Sequence, residues 1–288
     1  MVQPVKKVAV IGAGAMGSQI AAVCALAGFN VRIQDIHEPT FEKNMEEISQ
    51  RLQRKVEKGK LSQQELDDRF TRLVFEPEIE SAVAGCDFVI EAIVEDIQTK
   101  RKVFQEVDLH APKNAILATN SSTIVSSKIA DVTSRPDLVC NFHFFNPALV
   151  MELIEVVQGP HTSDETAQTA MEFARKINKT PILLQKELSG FVANRMLGSL
   201  MDEALDLYEK GVASHEDIDL ACTKALNHPI GPFQLIDLTG IDVHYHVRMQ
   251  RYEESGDESQ KPAESVREKY KAGELGHKTG KGFYTYNS

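Results

Sequence analysis

Gly12-Ala13-Gly14-Ala15-Met16-Gly17 follows directly on the apolar run Val8-Ala9-Val10-Ile11. A run without polar alternation suits a strand buried on both faces of a parallel sheet. Beyond the glycines, Ile20, Val23, Cys24 and Ala27 recur at helical spacing until Gly28, and Val31 to Gln34 reads as a second strand ending at Asp35. Strand, glycine turn, helix and strand make a βαβ unit. Its glycines permit a tight turn, close approach to a pyrophosphate and close helix–strand packing, and its helix N-terminus offers amides and a positive dipole end to phosphates. Asp35 stands where an acid accepts from adenosine ribose hydroxyls and disfavours a 2′-phosphate; Ile36 and His37 offer no guanidinium to receive one, so NAD is expected over NADP. Glycines that merely make a turn are the plainer alternative. FAD shares the fingerprint, but no second flavin feature is present.

Residues 8–31 carry no charge and follow Lys6 and Lys7, as an export signal or membrane span would. Gly12, Gly14, Gly17, Ser18 and Gln19 interrupt the run where either reading needs unbroken apolar character, so neither is adopted. The 288 residues are enough for two domains with sizeable cores. With 32 basic against 42 acidic side chains the net charge is −10, which repels nucleic acids and anionic membranes and leaves any anionic ligand to be held locally. Cys24, Cys86, Cys140 and Cys222 are widely spaced. They suit a reducing, cytoplasmic setting and offer no disulfide or metal framework.

Further along, Glu38 to Lys58 and Leu66 to Leu73 read as a helical pair inserted between strands, the second opening with Ser62 and Glu65 at capping-box spacing. Strands are expected at Leu73 to Phe75, Asp87 to Glu91, Ile116 to Thr119, Val139 to Phe144, Glu152 to Val156 and Thr180 to Leu184. Helical periodicity between them predicts an α/β, Rossmann-like doubly wound sheet over 1–186. From 187 to 288 the pattern is helical: Val192 to Lys210, Ser214 to Leu226, Phe233 to Glu254 and Ala263 to Ala272, with Glu253 to Lys261 a polar, exposed loop. The junction at Lys186 to Gly190 is too short for a floppy linker, so the two domains are expected to meet at a cleft.

Several linked motifs now resemble one family, the L-3-hydroxyacyl-CoA dehydrogenases, and most closely its bacterial 3-hydroxybutyryl-CoA dehydrogenase branch. They are VAVIGAGAMG at 8–17, VIEAIVED at 89–96, ATNSSTI at 118–124, NFHFFNPALVMELIEVV at 141–157, SGFVANR at 189–195, NHPIGPFQLIDLTGID at 227–242 and HKTGKGFYTY at 277–286. The resemblance implies NAD-dependent interconversion of a short-chain (S)-3-hydroxyacyl-CoA, such as 3-hydroxybutyryl-CoA, and its 3-oxoacyl-CoA. Among nine histidines, residue chemistry alone favours His143, after a buried strand and before the Asn146-Pro147 turn, with a satisfied structural histidine as the alternative.

The resemblance makes His143 the acid/base, and Glu155 the carboxylate that orients its imidazole and favours the cation; alone, Glu155 would be read as a surface acid. It also implies that Ser122 hydrogen-bonds substrate oxygen near the nicotinamide and that Asn194 helps hold the substrate; a helix or turn cap and a backbone-satisfying amide are the plainer readings. Ala15 and Met16 join the three glycines at the cofactor, with Glu95, Lys100, Asn120, Asn146 and Lys278 around it. Without the family, Glu95 and Lys100 would be a helix-surface pair. Arg54 and Lys58, in the basic stretch 51–60, are expected to meet the coenzyme A phosphates, with a solvated helix face as the alternative.

Glu152 and Ser189 depart from residues frequent in the family, lysine and proline respectively. The helical part is further expected to pair two copies into a homodimer. A dehydrogenase of a hydroxy acid lacking coenzyme A, and a non-catalytic NAD-binding protein, are the competing functions.

Overall fold

The computed structural model describes residues 4–286, so the extreme ends of the two expected segments, 1–3 and 287–288, lie outside the described residues. The chain divides into two compact units, one ending at Phe191 and the other beginning at Val192.

In the first unit the elements are β1 (Lys7–Ile11), α1 (Ala15–Leu26), β2 (Asn30–Gln34), α2 (Glu38–Glu57), α3 (Gln63–Phe70), β3 (Leu73–Glu76), α4 (Ile79–Val83), β4 (Phe88–Glu91), α5 (Ile97–His110), β5 (Ile116–Thr119), α6 (Ser127–Ala130), β6 (Val139–Phe144), β7 (Leu153–Val157), α7 (Asp164–Lys176) and β8 (Thr180–Leu184). The sheet order is β3-β2-β1-β4-β5-β6-β7-β8. Pairing is parallel from β3 through β6, antiparallel between β6 and β7, and parallel again between β7 and β8.

The central strands are buried along their length, as unbroken apolar runs require when helices cover both faces. On one face Phe88, Phe142 and Phe144 pack with Phe173 of α7 and the apolar side of α1; on the other, Val89 and Leu117 pack with Phe104 and Val107 of α5 and Ile129 of α6. The order reverses at β1, between β2 and β4, which is where ligands settle outside the carboxyl ends of strands in such sheets.

Two local expectations shift. The helix expected over Leu66 to Leu73 starts earlier, at Gln63, because Ser62 and Glu65 form a reciprocal capping box, and it ends at Phe70 so that Leu73 can enter β3. The doubly wound pattern also contains one antiparallel step: the β6–β7 connection is too short for a parallel crossover, which needs a dozen or more residues, and α7 then returns the chain to β8 in parallel with β7.

The second unit contains α8 (Ala193–Glu209), α9 (His215–Lys224), α10 (Pro232–Thr239), α11 (Ile241–Ser255) and α12 (Glu264–Lys271) around Met201, Leu205, Ile218, Phe233, Ile236, Val266 and Phe283. The single helical segment expected from Phe233 to Glu254 is two helices, broken at Gly240, whose φ of +105° no helix accommodates. The loop expected at Glu253 is still α11 as far as Ser255.

Two buried acids order this unit. Asp219 accepts from the Phe233 and Gln234 amides at 2.8 and 3.0 Å and so caps α10, while Asp237 accepts from the Phe283 and Tyr284 amides, both at 2.9 Å. Among the described residues no helix is long and apolar enough to cross a membrane. All four cysteines are buried free thiols, and burial pushes Cys24 and Cys140 up to about 12.

Candidate active site

The glycine turn joins the carboxyl end of β1 to α1. The Gly12 amide donates to the Gln34 carbonyl at 2.7 Å, and the Ala13 amide donates to Asp35 Oδ2, also at 2.7 Å. The His37 amide donates to the other oxygen of Asp35 at 3.0 Å, so this carboxylate ties the end of β2 to the turn.

Two of the glycines are demanded by the fold. A Cβ on Gly12 would meet the Ala92 carbonyl oxygen at 2.7 Å, and one on Gly17 would meet the Gly12 carbonyl oxygen at 1.8 Å. Gly14 is different: its φ of −65° and ψ of −173° suit any residue, and nothing lies within 4 Å of where a Cβ would stand. A glycine that the free protein does not need points to something that must come close from outside. That fits a pyrophosphate, because the first turn of α1, opening with Ala15 and Met16, has neither a capping side chain nor an acid to neutralise its amides. Gly14→Ala is therefore expected to leave the melting temperature unchanged or slightly raised while weakening NADH binding roughly tenfold, read by fluorescence titration. Unchanged affinity would remove Gly14 from the cradle.

Along the same sheet edge, the ends of β4 and β5 form a polar network. Glu91 is buried and accepts from Lys100 Nζ at 2.7 Å, the Ile93 amide at 2.8 Å and Thr119 Oγ1 at 2.7 Å. Lys100 is 1% exposed, so it is no helix-surface residue; its ammonium also lies 3.3 Å from Glu95. Burial works against charge on Glu95, but hydrogen bonds from the Ser121 and Thr123 hydroxyls and from Lys100 outweigh it and hold the carboxyl below its ordinary value. Sequence reasoning missed Glu91 because nothing local distinguishes an acid at a strand end from a solvated one.

The serine loop separates two neighbours that sequence cannot. Ser121 is buried, donates to Glu95 and accepts from the Ile124 amide at 2.8 Å, so it builds the loop. Ser122 contributes its carbonyl, which accepts from the Gly190 amide at 3.2 Å, and its half-buried hydroxyl makes no hydrogen bond among the described residues. Asn120 Oδ1 accepts from the Phe144 amide at 2.9 Å, linking β5 to the strand that carries His143.

His143 and Glu155 are register partners across the antiparallel β6–β7 pair. Imidazole Nδ1 lies 3.0 Å from Glu155 Oε2; His143 is 5% exposed and Glu155 fully buried, so the surface-acid reading of Glu155 is set aside. With Nδ1 engaged, Nε2 is the nitrogen open to a ligand. β6 is the third strand over from β1 in a parallel array, so a ligand along this edge from the glycine turn to His143 would span roughly 14 Å, three inter-strand spacings. Asn146 is exposed in the turn after β6. Arg54 and Lys58 are exposed at the C-terminal end of α2. In the second unit, Asn194 is half-buried in the first turn of α8 and Lys278 is paired with Asp242.

Residues 7–188 match the NAD-binding domain, and residues 190–286 the C-terminal domain, of 3-hydroxyacyl-CoA dehydrogenase. A probable 3-hydroxybutyryl-CoA dehydrogenase of Bacillus subtilis is 39% identical over 98% of both chains. The crystal structure of (S)-3-hydroxybutyryl-CoA dehydrogenase from Ralstonia eutropha superposes with a TM-score of 0.92 at 36% identity, covering 99% of this chain and 100% of that one. A diketoreductase whose structure is described as acting on dicarbonyl compounds superposes with a TM-score of 0.87 at 30% identity, covering 99% of this chain and 100% of its own. With both domain matches in sequence order over a glycine-turn sheet and a buried imidazole–carboxylate pair, the chain belongs to the 3-hydroxyacyl-CoA dehydrogenase family.

Proposed function

We propose that this NAD-dependent oxidoreductase interconverts short-chain (S)-3-hydroxyacyl-CoA and 3-oxoacyl-CoA, with 3-hydroxybutyryl-CoA and acetoacetyl-CoA as the pair. The observation that carries the reading is the 3.0 Å pairing of His143 and Glu155 on the sheet edge that also bears the glycine turn.

Gly12, Gly14, Ala15, Met16 and Gly17 would make room for and hold the pyrophosphate of NAD, Asp35 would accept from the adenosine ribose, and Glu95, Lys100, Asn120, Asn146 and Lys278 would complete its surroundings. When bound, NAD supplies the acceptor for the hydride that leaves the alcohol carbon. His143 takes the hydroxyl proton through Nε2, and the positive charge that arrives on the ring develops 3.0 Å from Glu155. In reduction the same nitrogen returns the proton to the carbonyl oxygen. The Ser122 hydroxyl and the Asn194 amide orient the substrate oxygens, a preorganised polar setting for the charge that develops there.

Arg54 and Lys58 meet the coenzyme A phosphates, which a chain of net charge −10 must hold with a local basic patch. Exposed Met196, Val243 and Val247 on α8 and α11 favour pairing with a second copy through the second unit. Buried free thiols favour a cytoplasmic setting.

The test is loss of NADH absorbance with acetoacetyl-CoA and longer 3-oxoacyl-CoA substrates, beside free acetoacetate and a simple diketone. Faster turnover of the free compounds would support the second reading, a dehydrogenase of substrates lacking coenzyme A, for which the likeness to the diketoreductase speaks. Replacing Arg54 and Lys58 together with alanine is expected to raise KM for acetoacetyl-CoA roughly fivefold and leave that for NADH unchanged. An unchanged acyl-CoA KM would remove these two residues from the substrate site.

A further inference from the structure

The last stretch of the first unit, 187–191, is stitched to the serine loop. Glu187 Oε1 accepts from Ser126 Oγ and from the Ser127 amide, both at 2.8 Å, and the Gly190 amide donates to the Ser122 carbonyl at 3.2 Å. Within the stretch, the Phe191 amide donates to the Leu188 carbonyl at 2.9 Å and closes a turn in which Gly190 takes a φ of +78°. Phe191 itself has a φ of +47°, a left-handed conformation disfavoured for a residue with a Cβ and bulky side chain.

That conformation directs a buried ring, 1% exposed, towards the imidazole of His143: the centroids are 5.4 Å apart with the planes at 57°. Phe145 lies against the same imidazole at 4.6 Å. The outer torsion of histidine is a broad well, so the bond from Nδ1 to Glu155 fixes one nitrogen but still lets the ring plane rock about it. Rocking moves Nε2, the atom that must meet the substrate oxygen.

We propose that Phe191 is a positioning residue for His143, its ring narrowing the imidazole's swing so that Nε2 keeps its aim while Nδ1 stays on Glu155. This rests on the reading of His143 as the proton-transfer group. The hydrogen bonds of Glu187 to Ser126 and Ser127 and of Gly190 to Ser122 tie the stretch that carries Phe191 to the serine loop, and the Gly190 contact also holds the Ser122 backbone.

The test compares Phe191→Leu, which keeps apolar bulk but lacks the flat ring, with the unaltered protein. The expected result is an approximately tenfold lower kcat for acetoacetyl-CoA reduction, with both KM values within about twofold. In nitrogen-15 spectra of the histidine side chains, the unaltered His143 is expected to show one tautomer protonated at Nδ1, and the variant an averaged signal. In a His143→Gln background, Phe191→Leu should cost nothing further, because there is no imidazole left to aim.

Unchanged kcat, an equal loss in both backgrounds, or a loss confined to KM with unchanged imidazole signals would each overturn the proposal and leave Phe191 as core packing with Val157 and Leu184. Phe191→Met is the second variant should the leucine form fail to fold. If the unaltered protein turns over no 3-oxoacyl-CoA, the functional reading fails, and the spectra alone decide whether Phe191 holds the imidazole.

Discussion

His143→Gln is expected to lower kcat in both directions about a thousandfold, within the range that positioned acid–base catalysis contributes, while NADH binds with the affinity of the unaltered protein. The separation follows from the architecture. The glycine turn and Asp35 stand at the ends of β1 and β2, and none of their hydrogen bonds reaches β6. Glutamine can still present an amide N–H to Glu155 Oε2, so the buried carboxylate is not stranded and the melting temperature should change little. A histidine that served only to satisfy Glu155 would give a different pattern: kcat near that of the unaltered protein, because the glutamine amide takes over that service. Steady-state rates with acetoacetyl-CoA, NADH titration and a thermal melt on the same preparation separate the two. Turnover within about tenfold of the unaltered protein would deny His143 the role of proton carrier.

What the sequence makes legible is what local chemistry dictates. Gly12 and Gly17 are the glycines that backbone collisions at the turn demand, and their spacing after an apolar strand makes the cradle recognisable from the order of residues alone. Ser62 and Glu65 likewise fix the start of α3 within one turn. Partners that meet only through the sheet are harder to see. Residue chemistry favours His143 among nine histidines and the family resemblance gives it its role, and the chain carries a further physical signal for its partner: residues 145–152 cannot form a parallel crossover, so β7 runs back beside β6 and sets Glu155 near His143.

Lys100 has no such signal. Its burial depends on Glu91 at the end of one strand and Thr119 at the end of the next, whereas along the chain it looks like one more charge on a helix. Gly240 lies inside apolar periodicity that continues on both sides, and only its positive φ shows the break. Asp219 and Asp237, which order the second unit, read as surface acids for the same reason as Glu91: the amides that satisfy them come from distant segments.

The largest stability change is expected from Lys100→Met. Its side chain is 1% exposed and that of Glu91 2%, so removing the ammonium leaves a carboxylate in the interior with only the Ile93 amide and the Thr119 hydroxyl to oppose its charge. Breaking such a pair costs about 3–5 kcal/mol, or roughly 10 °C in the transition of the first unit. Methionine matches the length of the lysine stem, which keeps a cavity from adding to the loss.

Adding Glu91→Gln removes the orphaned charge while retaining an acceptor, and should recover more than half of the lost melting temperature. This second variant also distinguishes structural support from cofactor contact. If Lys100 acts through Glu91 and Glu95 to hold the loop of Ser121 and Thr123, NADH affinity should return along with stability. If Lys100 instead touches the dinucleotide, stability should return and affinity should not. A melting temperature within about 2 °C of the unaltered protein for Lys100→Met alone would mean that the pair is not sealed from water as its burial indicates.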